Sequence, residues 1–514
     1  MIYFINTVMP DRKTGVEFAQ LKRMKLFRNH NQPAKIITRL FENDGHKNYF
    51  NAGLKENEFI NLFEWLQGTG SLKYQECTVS DLKFPDGMST PQKNDDGSYS
   101  VFLGEAEMYK VVLWNENDKE HPEQVHEVIE YDFTHHVVKT NIYDVRGFKT
   151  QERLHQTDDA PVTDLILNPD GQIVYESFWL FDRAGNIHNS QFIVRNFEGR
   201  DYQFNGMKGL TRFFLNQLNL ADGQGDIFIS DRNENADWGL LNFPSKAYKI
   251  LYLHNVHSDA IEPMHSTLNW NYQFALNNIN KWDAIIASTQ KQLDDLTTRF
   301  HQTVSVFKVP VGIVPDSQVE TDRIPLGDRN KGQIIAVCRI AAEKRLNLLI
   351  DAFAIIKRLV PWSHLDFYGN PAGDVQKQLT DQVSKLNLSD SVKFHGYITN
   401  VNEVESKAQL FGVTSAMEGF NLAMLEANSN GVPLVSFDVR YGPSEIIQNN
   451  VNGYVVPMND VNAIATSMAE LLLDDEKWQR FSTASYENSE RFSEDSIWKL
   501  WQPVFADAKE KMGE

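Results

Sequence analysis

Two successive doubly wound α/β domains facing one cleft, with an antiparallel β-sheet inserted into the first, are the architecture this sequence predicts. Three observations carry the prediction. Short apolar strands alternate with helical patterns over residues 1–69 and again from residue 206. Between them, residues 71–204 break into short alternating segments separated by hairpin-type turns. After a polar stretch at 316–331, a second strand–helix series begins. Open α/β sheets bind ligands at the C-terminal edges of their strands, so two such sheets in series imply a cleft between those edges.

The elements follow in order. Residues 2–6 are an apolar run, and Gly15 opens a helical pattern through Val16, Phe18, Leu21, Met24 and Leu26. Residues 34–38 read as a second strand, and 57–66 have helical spacing. In the insertion, strand-like segments at 109–114, 125–133, 137–143, 173–181 and 187–194 are punctuated by turns at Arg146-Gly147, Pro169-Asp170-Gly171 and Ala184-Gly185-Asn186. Strands return at 227–230, 249–253 and 284–287, and 309–312 closes the first half. The second half continues through 333–338, 365–368, 391–394, 410–413, 433–437 and 453–456. The expected domains are therefore 1–70 with 205–315, the insertion 71–204, and 316–495. A terminal helix at 496–514 is expected to pack back on the first domain.

Composition bounds the function. A chain of 514 residues with 41% hydrophobic content has room for two to four domains. Its 50 Lys and Arg against 69 Asp and Glu give a net charge of −19, which argues against a nucleic-acid binder. Two distant cysteines, Cys77 and Cys338, form neither a disulfide framework nor a metal cluster and suit a reducing cytoplasm. The first residues lack the pattern of a secretory signal, and no apolar run is long enough to span a bilayer. A cytoplasmic protein is expected.

Four constellations carry chemistry. The strongest is Glu418-Gly419-Phe420-Asn421-Leu422-Ala-Met-Leu-Glu426, between a strand and a helical pattern. It places backbone N–H groups at a helix N-terminus, where an anion such as phosphate is favoured. The second is Arg339 and Lys344, directly after a strand. A planar fork and a point charge there suit a diphosphate, although a solvated helix start would look similar. The third is His254 and His257 at a strand end in the first half. With no third ligand nearby, they suit hydroxyl recognition better than a metal. The fourth is Gly15, between the first strand and first helix, where the backbone can approach a phosphate closely. Alone, that glycine is a weak signal.

Taken together, these motifs resemble the retaining family-4 glycosyltransferases of the GT-B fold. Phe367-Tyr-Gly369, Phe394-His395-Gly-Tyr397 and Gly442-Pro-Ser-Glu445 before Asn452-Gly453 add to the match. The insertion, in segments such as 141–147 and 174–185, resembles the added β-sheet domain of two Gram-positive subfamilies. One initiates O-glycosylation of serine-rich adhesins, usually beside a catalytically dead homologue. The other makes poly(glycerol-phosphate) α-glucosides. Residues 14–20 look more like the adhesin enzymes, because the teichoic-acid enzymes tend to carry a Gly-Gly-Met type loop there.

The resemblance implies roles for individual residues. Arg339 and Lys344 would hold the donor diphosphate as it leaves. Glu418 would contact the donor sugar and Glu426 the ribose diol, with Gly419, Phe420, Asn421 and Leu422 around the phosphates. Gly15 would touch phosphate through its backbone. His257 would contact the sugar near the reacting carbon, with His254 the second choice. Phe394, His395 and Tyr397 would border the uracil. Asn421 departs from the family, which more often has Gly there. No D-x-D motif follows a strand, so neither a metal nor another cofactor is expected, and the reaction would be front-face displacement with retention.

The implied activity is transfer of a sugar, GlcNAc in preference to glucose, from a UDP-sugar to Ser/Thr of a serine-rich surface protein. A teichoic-acid glucosyltransferase is the same-class rival. A non-catalytic acceptor-binding subunit is the rival of another class, but such subunits should lose the phosphate cations or the glutamate pair. The expected partners are the acceptor and a homologous subunit, or self-association through the β-insertion. No nucleic acid is expected, and peripheral association with the inner face of the membrane fits the same resemblance.

Overall fold

Ile2–Ile5 is apolar and buried at every position, as a strand covered on both faces must be. The computed structural model describes residues 1–513 apart from 115–120, 122, 157–159, 222, 224, 260 and 321, and leaves out the side chains of 234 and 235. The chain separates into two units, residues 1–17 with 32–247 and residues 18–31 with 248–514. Among the described residues, no helix is long and apolar enough to cross a membrane.

In the first unit, Ile2–Ile5 pairs in parallel with Ala34–Thr38 on one side and Ile227–Ser230 on the other. The helical spacing at 57–66 is corrected by the structure. Phe59–Asn61 is a third parallel strand beside Ala34–Thr38, and only Leu62–Gln67 is helical. Asn61 makes the break, because its Oδ1 accepts from Phe63 N at 2.8 Å and so caps the helix.

Among the described residues, the insertion forms an antiparallel sheet of ten strands, each beside its chain neighbour, from Gln92–Lys93 to Arg200–Phe204. Segments 115–120 and 157–159 lie outside the described residues. Lys149–His155 and Pro161–Leu167 are strands that the sequence reading did not single out. The buried positions of Lys149–His155 are Thr150 and Gln151, so the strand shows no apolar alternation.

The sheet is tied to the α/β part of its own unit by a buried ionic hub. Arg146 donates from Nε to Asp144 Oδ1 at 2.7 Å and from Nη1 to the Thr69 carbonyl at 2.7 Å. Its Nη2 reaches Glu64 Oε1 at 3.3 Å, and Glu64 Oε2 lies 3.3 Å from His46 Nδ1. Gly147 follows at φ +91°, where a Cβ would fall 1.7 Å from the Gln75 carbonyl oxygen.

The second unit holds two sets of parallel strands. Tyr248–Leu253, Ala284–Ala287 and Ser305–Lys308 pair in sequence. The terminal helix Glu494–Met512 packs on them: Asp507 accepts from Ser305 Oγ at 2.8 Å and also from the Tyr248 hydroxyl. The other set is a six-stranded sheet ordered Val392–Phe394, His364–Tyr368, Gln333–Val337, Leu410–Val413, Leu434–Phe437, Gly453–Val456. Leu349, Ile350, Phe353 and Ile356 of the helix Leu346–Leu359 share a fully buried core with Ile464 and Met468.

Candidate active site

The chain enters that six-stranded sheet at Gln333–Val337, builds outward on one side, and returns at Leu410–Val413 on the other side of the first strand. This reversal is a topological switch point, where diverging connections leave a crevice at the strand C-termini. The loops 338–345 and 414–421 both start there, so the two strongest motifs emerge side by side.

They are joined directly. Lys344 Nζ donates to Glu418 Oε1 at 2.8 Å, and Ser415 Oγ donates to the same oxygen at 2.6 Å. Thr414 Oγ1 lies 3.1 and 3.0 Å from the carbonyls of Lys344 and Arg345, and Ala416 N donates to the Glu343 carbonyl at 2.7 Å. The second loop therefore fixes the turn that carries the lysine. Burial opposes the charge on Lys344, but the Glu418 carboxylate beside it prevails and its pKa is raised. The ammonium is thus firmly cationic at neutral pH. Burial also pushes the neighbouring Cys338 thiol up to about 12, which makes it a poor nucleophile. The exposed Arg339 guanidinium is engaged with Glu343, four residues on.

Gly419 is required by packing. A Cβ there would lie 2.2 Å from the His254 carbonyl oxygen and 2.8 Å from Asn255 Cα, so the two backbones touch. Phe420 turns inward, 2% exposed, against Phe492. Asn421 adopts φ +80° and accepts from Met424 N at 3.1 Å, capping the helix Leu422–Ser429. Asparagine tolerates this left-handed region better than most residues, and it adds a cap that Gly would lack. Glu426, in the same helix, pairs with Lys22 Nζ at 2.9 Å.

The two histidines separate clearly. His254 follows the strand Tyr248–Leu253, is partly exposed, and its ring packs tilted against Tyr252 with centroids 4.9 Å apart. His257 is completely buried, with its Nδ1 3.4 Å from the Tyr441 hydroxyl. Burial, with Arg299 and Arg440 adding to it, pulls His257 down to about 4, so the ring is neutral. The residue ranked first from sequence is therefore sealed, and the second choice faces outward.

Phe394 stacks on Phe367 with ring centroids 5.0 Å apart, and His395 stacks on Tyr368 at 4.5 Å. His395 Nε2 lies 2.8 Å from the buried Asp366 carboxylate, which also accepts from Gln333 Nε2 at 2.7 Å. Tyr397 is 37% exposed at the end of the same loop. In the first unit, Gly15 opens the helix Gly15–Asn29, and Glu17 secures the start by accepting from Thr14 N at 2.8 Å and Arg232 Nη2 at 2.8 Å. A Cβ at Gly15 would meet nothing within 4 Å, so the protein's own packing does not demand glycine there.

Sequence reasoning missed Ser415, Thr414, Asp366 and Lys22. Ser415 and Thr414 adjoin a motif and were within reach of a search for hydroxyls near Glu418. Lys22 meets Glu426 from a distant helix, and nothing local signals it.

Residues 318–488 match the family Glycosyl transferases group 1. The fold is GT-B with an antiparallel β-sheet insertion, as the resemblance implied. Over 516 residues the chain is 24% identical to the UDP-N-acetylglucosamine–peptide N-acetylglucosaminyltransferase GtfA subunit of Streptococcus agalactiae, covering 98% of this chain and 97% of that protein. It is 23% identical to the poly(glycerol-phosphate) alpha-glucosyltransferase of Bacillus subtilis, covering 97% of this chain and 74% of the relative. The crystal structure of the pneumococcal O-GlcNAc transferase GtfA, in complex with UDP and GlcNAc, superposes with a TM-score of 0.81 at 22% identity, covering 99% of this chain and 98% of that one.

Proposed function

We propose that this chain transfers GlcNAc with retention from UDP-GlcNAc to Ser/Thr of a serine-rich protein, without a metal. The observation that carries the reading is the Lys344–Glu418 pair at the switch point of the group 1 segment, 2.8 Å between Nζ and Oε1. Lys344, with Arg339, meets the charge that develops on the leaving diphosphate. Such preorganised donors act strongly where water is excluded. The C1–phosphate bond breaks, the acceptor oxygen bonds C1 on the same face, and its proton passes to the departing phosphate oxygen. Glu418 holds the donor sugar and Glu426 the ribose diol. His254 takes the sugar contact in place of His257, because only His254 is accessible at the strand end.

The presence of Arg339, Lys344, Glu418 and Glu426 argues against a purely acceptor-binding subunit. The Streptococcus agalactiae relative is named a subunit, which supports a partner chain here, and the β-insertion is the surface we assign to acceptor or partner. The Bacillus subtilis relative keeps a second reading alive, glucose transfer to poly(glycerol phosphate). A cytoplasmic location, at the inner face of the membrane where such acceptors pass, accompanies either reading.

The test offers UDP-GlcNAc and UDP-glucose with a serine-rich peptide or poly(glycerol phosphate), with and without a homologous partner and with EDTA. GlcNAc-modified peptide, formed in EDTA, is the expected product. Glucose on the polymer alone would replace the first reading with the second, and strict dependence on a divalent metal would overturn the mechanism.

A further inference from the structure

Behind Glu426 sits a carboxyl group that the proposed reaction does not use. Glu405, the last residue of the short helix Val401–Glu405, is 0% exposed. Its Oε2 accepts from Asn430 Nδ2 at 3.3 Å, and its Oε1 has no hydrogen-bond partner. The same Asn430 side chain donates to the Glu426 carbonyl at 3.1 Å, and Asn430 N reaches that carbonyl at 3.2 Å. On the open side, Lys22 Nζ stands 2.9 Å from Glu426 Oε1 and 3.4 Å from the Ile313 carbonyl.

A fully buried carboxylate facing only an amide is strongly disfavoured, and a second carboxylate nearby makes it worse. Burial and the neighbouring Glu426 both drive the Glu405 pKa well above its ordinary value, with Lys22 opposing. Two carboxyl groups in one site divide their tasks when their surroundings differ. Here one is fully buried against an amide, and the other is partly exposed beside a lysine. A charged Glu426 is what a diol needs, since ionised acceptors make the stronger hydrogen bonds.

We infer that Lys22 and Glu405 are positioning residues for Glu426 and that together they set recognition of the nucleotide's ribose diol. Lys22 holds the carboxylate aimed. Glu405 and Asn430 hold the helix end behind it. The inference rests on the proposed role of Glu426 as the ribose ligand.

The test measures dissociation constants of UDP and 2′,3′-dideoxy-UDP for the full chain by calorimetry. Wild type should prefer UDP by at least about tenfold, the worth of one charge-assisted hydrogen bond. Lys22→Met should erase most of that preference while affinity for dideoxy-UDP holds. Glu405→Leu should do the same, and Glu405→Gln, neutral and nearly isosteric, should recover it. If wild type shows no preference, Glu426 is not the ribose ligand and both readings fall. If wild type and Lys22→Met show the same preference, the role of Glu426 stands and the inference is overturned. Lys22 is partly exposed, so this variant remains decisive even if Glu405→Leu does not fold.

Discussion

Lys344 and Glu418, 74 residues apart in sequence, share one hydrogen bond of 2.8 Å at the point where the six-stranded sheet reverses its direction of growth. Glu418 is only 6% exposed, so this is a nearly buried ion pair and its members cannot be removed singly without cost. Truncating one partner of a buried pair typically costs about 3–5 kcal/mol, because the other charge is stranded.

Lys344→Met should therefore lower both stability and turnover, the latter by about 10²–10³-fold if the lysine meets the leaving phosphate. The double variant Lys344→Met/Glu418→Gln separates the two effects. Its thermal midpoint should recover most of the loss while turnover stays low. A stable double variant with near wild-type transfer would remove Lys344 from the mechanism.

Gly419→Ala tests the backbone contact with His254. A methyl 2.2 Å from a carbonyl oxygen must push two main chains apart, at a cost of about 1–3 kcal/mol by analogy with overpacked cores. Because the displaced chain carries Glu418 on one side and Asn421 on the other, UDP affinity should fall along with the melting temperature. Unchanged melting and unchanged UDP binding together would show that the two loops are not in contact.

The strand–loop–helix setting of the Glu418–Glu426 block was legible because its residues lie within one local connection, and spacing alone places them. The choice between His254 and His257 was not. Both follow the same strand, and only the course of the chain after Leu253 buries one ring and leaves the other at the strand end. Lys22 and Glu405 were invisible for another reason. Lys22 meets Glu426 and Glu405 meets Asn430, each from a different helix, and a lone charge on a helical pattern reads as a solvated face. In the insertion, Lys149–His155 escaped notice because its inward positions are polar and find partners only across the sheet, as Gln151 does with Asp164 at 2.7 Å.

His257 gives the protein an acid-sensitive element. Its ring takes up a proton near 6.5 when unfolded but only near 4 when folded. Between those values the unfolded chain binds more protons, so stability is fully present above about 6.5 and lost as pH falls toward 4. The shift corresponds to about 3 kcal/mol at the low end. Glu42 and Asp237, each pushed up to about 7 chiefly by burial, act in the opposite direction, losing stability as pH rises toward 7. The diagnostic quantity is thus a difference. Urea unfolding of wild type and His257→Gln at pH 7 and pH 4.5 should show wild type losing more stability than the variant on acidification, and equal losses would mean that the ring is not held neutral.

Arg146 is where the insertion is secured within its unit, and it offers a gentler test of that domain's role than deletion. Excising residues 71–204 would uncover Glu64, His46 and Gln67, whose present partners include Arg146 and Leu167 of the insertion. Arg146→Met instead leaves the sheet in place and strands two buried carboxylates, Asp144 and Glu64, at about 3–5 kcal/mol. Adding Asp144→Asn and Glu64→Gln should return much of that stability. The single variant should be cut by protease faster within residues 71–204 than elsewhere. None of the proposed donor ligands lies in this segment, so hydrolysis of UDP-sugar should persist while transfer to a protein acceptor falls, and the triple variant should regain transfer along with protease resistance. Equal loss of hydrolysis and transfer would show that the insertion supports the donor site as well. Full transfer by a variant whose insertion is freely cleaved would remove the insertion from acceptor recognition.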